Sequence, residues 1–162
     1  MSIGIVKMSD STFTPSWNWN SKPNPVIPCL VDDQRCLPKR AHPTDAGADL
    51  FSVADMVLRP GQDAMIDTGL ALQIPTGYAG IVVNRSSQRI KCISSLGAGI
   101  IDSDYRGKIK VFLYNNGNDE YVIEAYKTKV AQLLIMPILL ATFEDCWNNT
   151  QRGTGGFGST GT

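Results

Sequence analysis

The chain has 162 residues, enough for one domain with a real core, and its fifteen Lys and Arg balance fifteen Asp and Glu. A balanced charge leaves no general positive field for a nucleic-acid backbone, so a polyanionic ligand needs a local pocket. The longest apolar stretch, Val130 to Phe143, is interrupted by Pro137 and falls short of a membrane span, and four scattered cysteines without a Cys-x-x-Cys pair indicate neither zinc nor a redox motif.

Residues 1 to 24 contain "TPSWNWNSKPNP", whose prolines and asparagines break both regular periods, and read as an extension outside the core. Trp17 and Trp19 offer anchors to the domain or to a partner; a partly ordered terminus is the plainer reading. The opening "MSIGIVKMSD" lacks a basic region followed by a sustained apolar one, so the expectation is a cytoplasmic chain with reduced thiols.

From Val26 the pattern becomes short β-rich runs separated by turns: "VIPCLV", "ADLFSV", "AMID", "LALQI", "AGIVVN", "KIKVFLYN", "YVIE" and "VAQLLIMP". Runs this short and evenly spaced predict an all-β barrel or sandwich. In "KIKVFLYN", Lys108 and Lys110 alternate with Ile109 and Val111, as in a strand with one wet face, and "NNGND" after it is a turn. No stretch keeps a helical period for three turns, and "TFEDCWNN" suits one short turn at most.

Three stretches carry chemistry. "NRSSQRIK", Asn84 to Lys91, follows an apolar run with a guanidinium and two hydroxyls suited to phosphate oxygens; a solvated loop explains it equally well. "GAGIIDSDYRG", Gly97 to Gly107, sets Asp102 after two aliphatics and beside Tyr105, a general base next to a stacking platform or an Asp-rich hairpin turn. The glycine-rich end, "RGTGGFGSTGT", lacks the Lys and the following helix of a P-loop, yet its backbone with Arg152, Ser159 and Thr160 offers donors that can wrap a phosphate chain. His42 is the only histidine, which leaves little room for a Ser-His-Asp triad.

In order along the chain, "DAGADL", "NRSSQRIK", "GAGIIDSDYRG", "KTKVAQL" and "RGTGGFGSTG" resemble the five motifs of the homotrimeric deoxyuridine triphosphatases, the dUTPases, from about Val26 to the C-terminus. The third and fifth are the specific ones. The resemblance implies a jelly-roll-type β domain over 25–148, an arm over 149–162 that closes on the site, and three shared sites per homotrimer. It implies hydrolysis of dUTP to dUMP and pyrophosphate with Mg2+ on the triphosphate, supplying dUMP and keeping uracil out of DNA. No nucleic-acid or membrane partner is implied.

Asp102 would then activate the attacking water, while Arg85, Ser86, Ser87, Gln132 and Arg152 would hold or orient phosphates and Asp49 would touch Mg2+ through water. Gly99, Ile100, Ile101 and Lys110 would present backbone to uracil, Tyr105 would pack on the deoxyribose, and Phe157 would cover the base. Gly158, Ser159 and Thr160 would close the arm around the phosphates.

The sequence departs from the family pattern in two motifs. The second usually reads Arg-Ser-Gly followed by Leu or Ala, where this chain has Ser87, Gln88 and Arg89. The fourth usually has Gly, an acid and Arg before Ala-Gln-Leu, where this chain has Tyr126, Lys127 and Lys129, so an ammonium replaces a guanidinium. The N-terminal extension is similar to phage or other viral members. A dCTP deaminase on the same fold would need a Glu that the third stretch lacks; a nucleotide-responsive regulatory module is the other alternative.

Overall fold

The computed structural model describes residues 25–95, 99–148 and 150. Within them the short apolar runs form eleven strands: β1 (Cys29–Val31), β2 (Ala48–Phe51), β3 (Met56–Leu58), β4 (Asp63–Asp67), β5 (Leu70–Leu72), β6 (Tyr78–Val83), β7 (Ile93–Ser95), β8 (Ile100–Ile101), β9 (Lys110–Asn115), β10 (Tyr121–Ile123) and β11 (Lys129–Pro137). A five-residue helix, α1 (Ser86–Ile90), follows β6, and a 3-10 turn spans Gln34–Cys36. The expected all-β class is therefore observed, with α1 and the strands β3, β7 and β8 added to the runs read from the sequence.

Every strand pair is antiparallel. The largest sheet has the order β2-β11-β6-β8, a second β4-β9-β7, and two-stranded ribbons join β1 to β5 and β3 to β10. These sheets wrap one core: Leu50, Leu58, Ile66, Leu70, Leu113 and Val130, each from a different strand, are buried together. Burying a side chain of this size contributes roughly 1.5–3 kcal/mol, which makes this shared interior the main source of stability. The alternation expected around Lys108 holds, with Ile109, Val111 and Leu113 inside and Lys108 and Lys110 exposed.

Buried polar groups are tied to backbone. Thr68 donates its hydroxyl to Ile109 O at 2.7 Å, and Asn115 donates from Nδ2 to Leu58 O and Asp119 O while its Oδ1 accepts from Gly117 N, fixing the turn after β9. Between β4 and β5 the backbone reverses at Gly69, φ +62, where a Cβ would stand 2.6 Å from a Val53 methyl, so only glycine closes this turn. No helix among the described residues is long and apolar enough to cross a membrane. No disulfide joins the four cysteines.

Candidate active site

The largest sheet gathers the polar cluster. Asp49 on β2 faces Gln132 on β11, which faces Val83 on β6, so a row runs from the carboxylate to the residue two before Arg85. The Asp49 side chain is only 7% exposed and is clamped from both sides, accepting from Arg85 Nε at 2.8 Å and from Lys129 Nζ at 2.7 Å. Two cations around one buried carboxylate leave a net positive charge at this end of the sheet. Gln132 lies against Gly47, where a Cβ would come within 3.0 Å of its Oε1. The first motif's glycine thus makes room for the fourth motif's amide.

Arg85 is aimed by α1. Its guanidinium also donates to Ser87 Oγ at 3.2 Å, and its backbone N–H donates to Gln88 Oε1 at 3.0 Å. Gln88 is 2% exposed and donates from Nε2 to Val130 O at 2.7 Å, so one side chain caps the helix and pins it to β11. In the sequence Gln88 stands out only as a departure from the family pattern. Its signal is the Arg-x-x-Gln spacing, half of a capping box, in which the third helical residue reaches back to the N-cap amide. Ser86 opens the helix and is exposed.

Lys129 is placed by the turn before β11. Tyr126 takes φ 60, a strained value for a bulky residue, and is held by its N–H to Ser52 O at 2.7 Å and by the Arg35 guanidinium stacked 3.8 Å over its ring. Arg35 is itself paired to Asp33 at 2.7 Å, which holds the Asp33 carboxyl well below the usual carboxylate range.

The third motif lies at the other edge of the same sheet. Gly99 accepts from Val82 N at 2.6 Å, and a Cβ there would stand 2.5 Å from Val82 O, so the close approach of backbone to β6 requires glycine. Ile100 and Ile101 pair with Ile81 and Gly80, with Ile100 exposed. Asp102 follows, exposed, and its carbonyl accepts from Tyr105 N at 3.2 Å. The Tyr105 ring lies across Gly107, where any Cβ would collide with it, and its hydroxyl donates to Lys108 O at 3.2 Å. Lys110 stands on β9 in the second sheet, opposite Asp67.

Within one chain the candidate residues fall into two groups. Asp49, Arg85, Ser87, Lys129 and Gln132 come together, whereas β8 runs away from the Asp49–Gln132–Val83 row. Three strand spacings of about 4.8 Å across the sheet and roughly four residues of about 3.4 Å along it put Asp102 on the order of 20 Å from Asp49. Arg152, Phe157, Gly158, Ser159 and Thr160 lie outside the described residues.

No group of three or more His, Cys, Asp or Glu that could hold a metal occurs among the described residues. Mg2+ keeps several waters and is commonly bound through substrate phosphates with few protein ligands, so this donor set is compatible with an ion that arrives on a triphosphate. Asp49 retains lone pairs beyond the two used by Arg85 and Lys129, which suits a contact through water.

The dUTPase family model matches residues 33–161. A deoxyuridine 5'-triphosphate nucleotidohydrolase of Clostridium acetobutylicum is 41% identical over 135 residues, covering 81% of this chain and 92% of that protein, and one of Corynebacterium jeikeium is 38% identical over 151 residues, covering 89% and 96%. Among solved structures, a variant of the Staphylococcus phage 80alpha dUTPase superposes with a TM-score of 0.74 at 27% identity, over 85% of this chain and 99% of that one. The same phage enzyme bound to dUpNHpp gives 0.69 at 28% identity over the same shares. With five motifs in order, a jelly-roll fold that places the first, second and fourth around one buried carboxylate, and a family match over most of its length, the chain belongs to the dUTPase family.

Proposed function

We propose that this chain hydrolyses dUTP to dUMP and pyrophosphate, in sites that three copies complete together. What supports the reading is strand order and register: the cationic end around Arg85 and the Asp102–Tyr105 hairpin lie on different strands of one sheet, on the order of 20 Å apart by ideal strand spacing, too far to act on the same phosphorus. Association resolves this, because one copy's hairpin can face another's cationic end. The segment after β11 favours association, since Leu139, Leu140, Phe143 and Trp147 are 70–96% exposed, a strip of apolar surface unusual for an isolated chain.

In the assembled site Arg85, Ser86, Ser87 and Gln132 hold the phosphate oxygens, and Arg152 with Gly158, Ser159 and Thr160 closes on them. When bound, Mg2+ would supply charge neutralisation along the triphosphate, and Asp49 would hold it through water. A phage phi11 dUTPase variant of similar structure is described with a structural Mg(II) ion. Asp102 accepts a proton from a water held in line with the α-phosphorus, and that water's oxygen bonds to phosphorus as the bond to the bridging oxygen breaks and pyrophosphate leaves. Positioning and electrostatics do most of the work in such a transfer, in keeping with a site made largely of donors. Gly99, Ile100, Ile101 and Lys110 read the base through backbone groups, Tyr105 crowds the 2′ position, and Phe157 covers the uracil.

The test is pyrophosphate release from dUTP, dCTP, dTTP and UTP by the full chain. The expected result is turnover of dUTP alone; equal turnover of all four contradicts the assignment. Sedimentation is expected to give three times the chain mass, and an active monomer would overturn the shared site.

A second reading rests on one comparison. The phage 80alpha dUTPase is described as controlling transfer of virulence genes by a G protein-like mechanism. A regulatory role of that kind here would survive loss of hydrolysis, so a variant silent in catalysis that still captured a protein partner in the presence of dUTP would support it.

A further inference from the structure

Arg35 belongs to none of the five motifs and is far from the fourth in sequence, yet its guanidinium stacks 3.8 Å over the Tyr126 ring, immediately before "KTKVAQL". A fork sets its direction: the Asp33 carboxylate accepts from Arg35 Nε at 2.9 Å and from Nη2 at 2.7 Å, and also from the Arg35 backbone N–H at 2.8 Å. Asp33 is the N-cap of the Gln34–Cys36 turn, whose Cys36 is buried, and Asp32 N donates to Gly69 O at 2.9 Å. The platform under Arg35 is therefore seated in the core.

What Arg35 covers is a strained turn. Tyr126 at φ 60 occupies the left-handed region, which glycine takes freely and a bulky side chain takes only when its surroundings hold it. Three bonds shape the backbone there: Ala125 N donates to Asp55 Oδ1 at 2.7 Å, Tyr126 N to Ser52 O at 2.7 Å, and Glu124 N to Thr128 Oγ1 at 2.8 Å. The stacked guanidinium adds a hold on the side chain itself. The strand ladder does not replace this turn: β11 pairs with β2 at Lys129–Phe51 and then slips by one residue before Ala131–Leu50, so register alone does not aim the Lys129 side chain. Lys129 Nζ nonetheless reaches Asp49 at 2.7 Å, the carboxylate that also accepts from Arg85.

We propose that Arg35 is a positioning residue for the cationic end of the site: by stacking on Tyr126 it holds the turn in the left-handed conformation that delivers Lys129 to Asp49, and so keeps Arg85 aimed. The inference rests on the assignment of that end to the substrate's phosphates. Arg35 itself touches no substrate; its effect passes through the turn. Because Asp102 stands at the other edge of the sheet, loss of Arg35 acts on affinity and leaves the chemical step alone.

The experiment is a double-mutant cycle in the full chain, with Arg35→Ala and Tyr126→Gly made singly and together. It is read by the KM and kcat of pyrophosphate release from dUTP and by hydrogen exchange at the Tyr126 and Thr128 amides. Arg35→Ala is expected to raise KM roughly three- to tenfold, the scale of one lost cation–π contact, with kcat within about twofold, and to speed exchange at both amides by a similar factor. In Tyr126→Gly the positive φ carries no steric cost, so adding Arg35→Ala is expected to change KM by less than about twofold. Asp33→Asn keeps the cap and loses the charge of the fork, and a smaller shift in the same direction is expected. An equal rise in KM from Arg35→Ala with and without Tyr126→Gly would overturn the proposal, since Arg35 would then act by a route other than the strained turn. So would an unchanged KM beside faster exchange, or unchanged exchange at both amides. Exchange needs no substrate: a chain that releases no pyrophosphate from dUTP faults the substrate assignment, while the exchange pattern still decides whether Arg35 holds the turn. The Arg35 side chain is 59% exposed, and an unchanged thermal midpoint checks that the fold is intact.

Discussion

Replacing Asp49 by Asn probes the link between the fold and the cationic end of the site. The amide keeps the shape of the carboxylate but cannot serve two cations: its oxygen accepts from one, and its NH2 group confronts the other. Removing one partner of a buried ion pair typically costs about 3–5 kcal/mol. Here the Arg85 side chain is 23% and the Lys129 side chain 37% exposed, so both can turn partly to water. That relief lowers the expectation to about 2–3 kcal/mol. For a chain of this length each kcal/mol moves the midpoint by roughly 2–4 °C, so Tm should fall by about 5–10 °C. Thermal unfolding followed by circular dichroism at fixed protein concentration measures it, because association also moves the midpoint. With Arg85 no longer aimed, the KM for dUTP should rise about tenfold, the loss expected for one charge-assisted contact. A variant with Tm within 1 °C of the parent and an unchanged KM would show that Asp49 neither holds the fold nor positions Arg85.

Gln88→Ala removes the α1 cap and leaves Val130 O without its side-chain donor, so stability should fall by about 1–3 kcal/mol in denaturant unfolding. If Tyr105 crowds the 2′ position as proposed, Tyr105→Ala should raise the rate on UTP relative to dUTP, read from the ratio of their kcat/KM values. A chain ending at Gln151 should keep its thermal midpoint and its association state while losing most hydrolysis, measured as pyrophosphate release, since Arg152 and Phe157 are removed.

How much was legible in the sequence depended on length and periodicity. β9 and β11 are long enough for alternation or composition to show, and the Ile109–Val111–Leu113 face was readable because lysines mark its wet side. β3, β7 and β8 are two or three residues long, too short for a period of two to register; β1, β5 and β10 are as short and were marked by the composition of their runs alone. They exist because a partner supplies the ladder, as Tyr121 does for Leu58 and Asn115 for Ile93. The helix α1 escaped for a similar reason, since five residues cannot display a helical period. What stabilises it is Gln88, whose second bond reaches Val130, 42 positions away.

The site divided along the same line. The motifs single out Arg85, Asp102, Gln132 and Tyr105 as candidates, but do not reveal that Asp49 is shared by Arg85 and Lys129. That arrangement depends on the register of β2 against β11, which no local pattern encodes. Nor does sequence order show that Asp102 lies far along the sheet from Asp49; the direction of β8 decides it.

The central claim is that Asp102 takes the proton from the attacking water. Its most direct measurement is single-turnover hydrolysis of dUTP by Asp102→Asn, alongside its affinity for a non-hydrolysable dUTP analogue. The amide fills the same space and cannot accept the proton, so analogue affinity should remain within a few-fold of the parent while the chemical step slows by about 10²-fold or more. Turnover at close to the parent rate with binding intact would contradict the account and leave Asp102 as a residue of the hairpin turn alone.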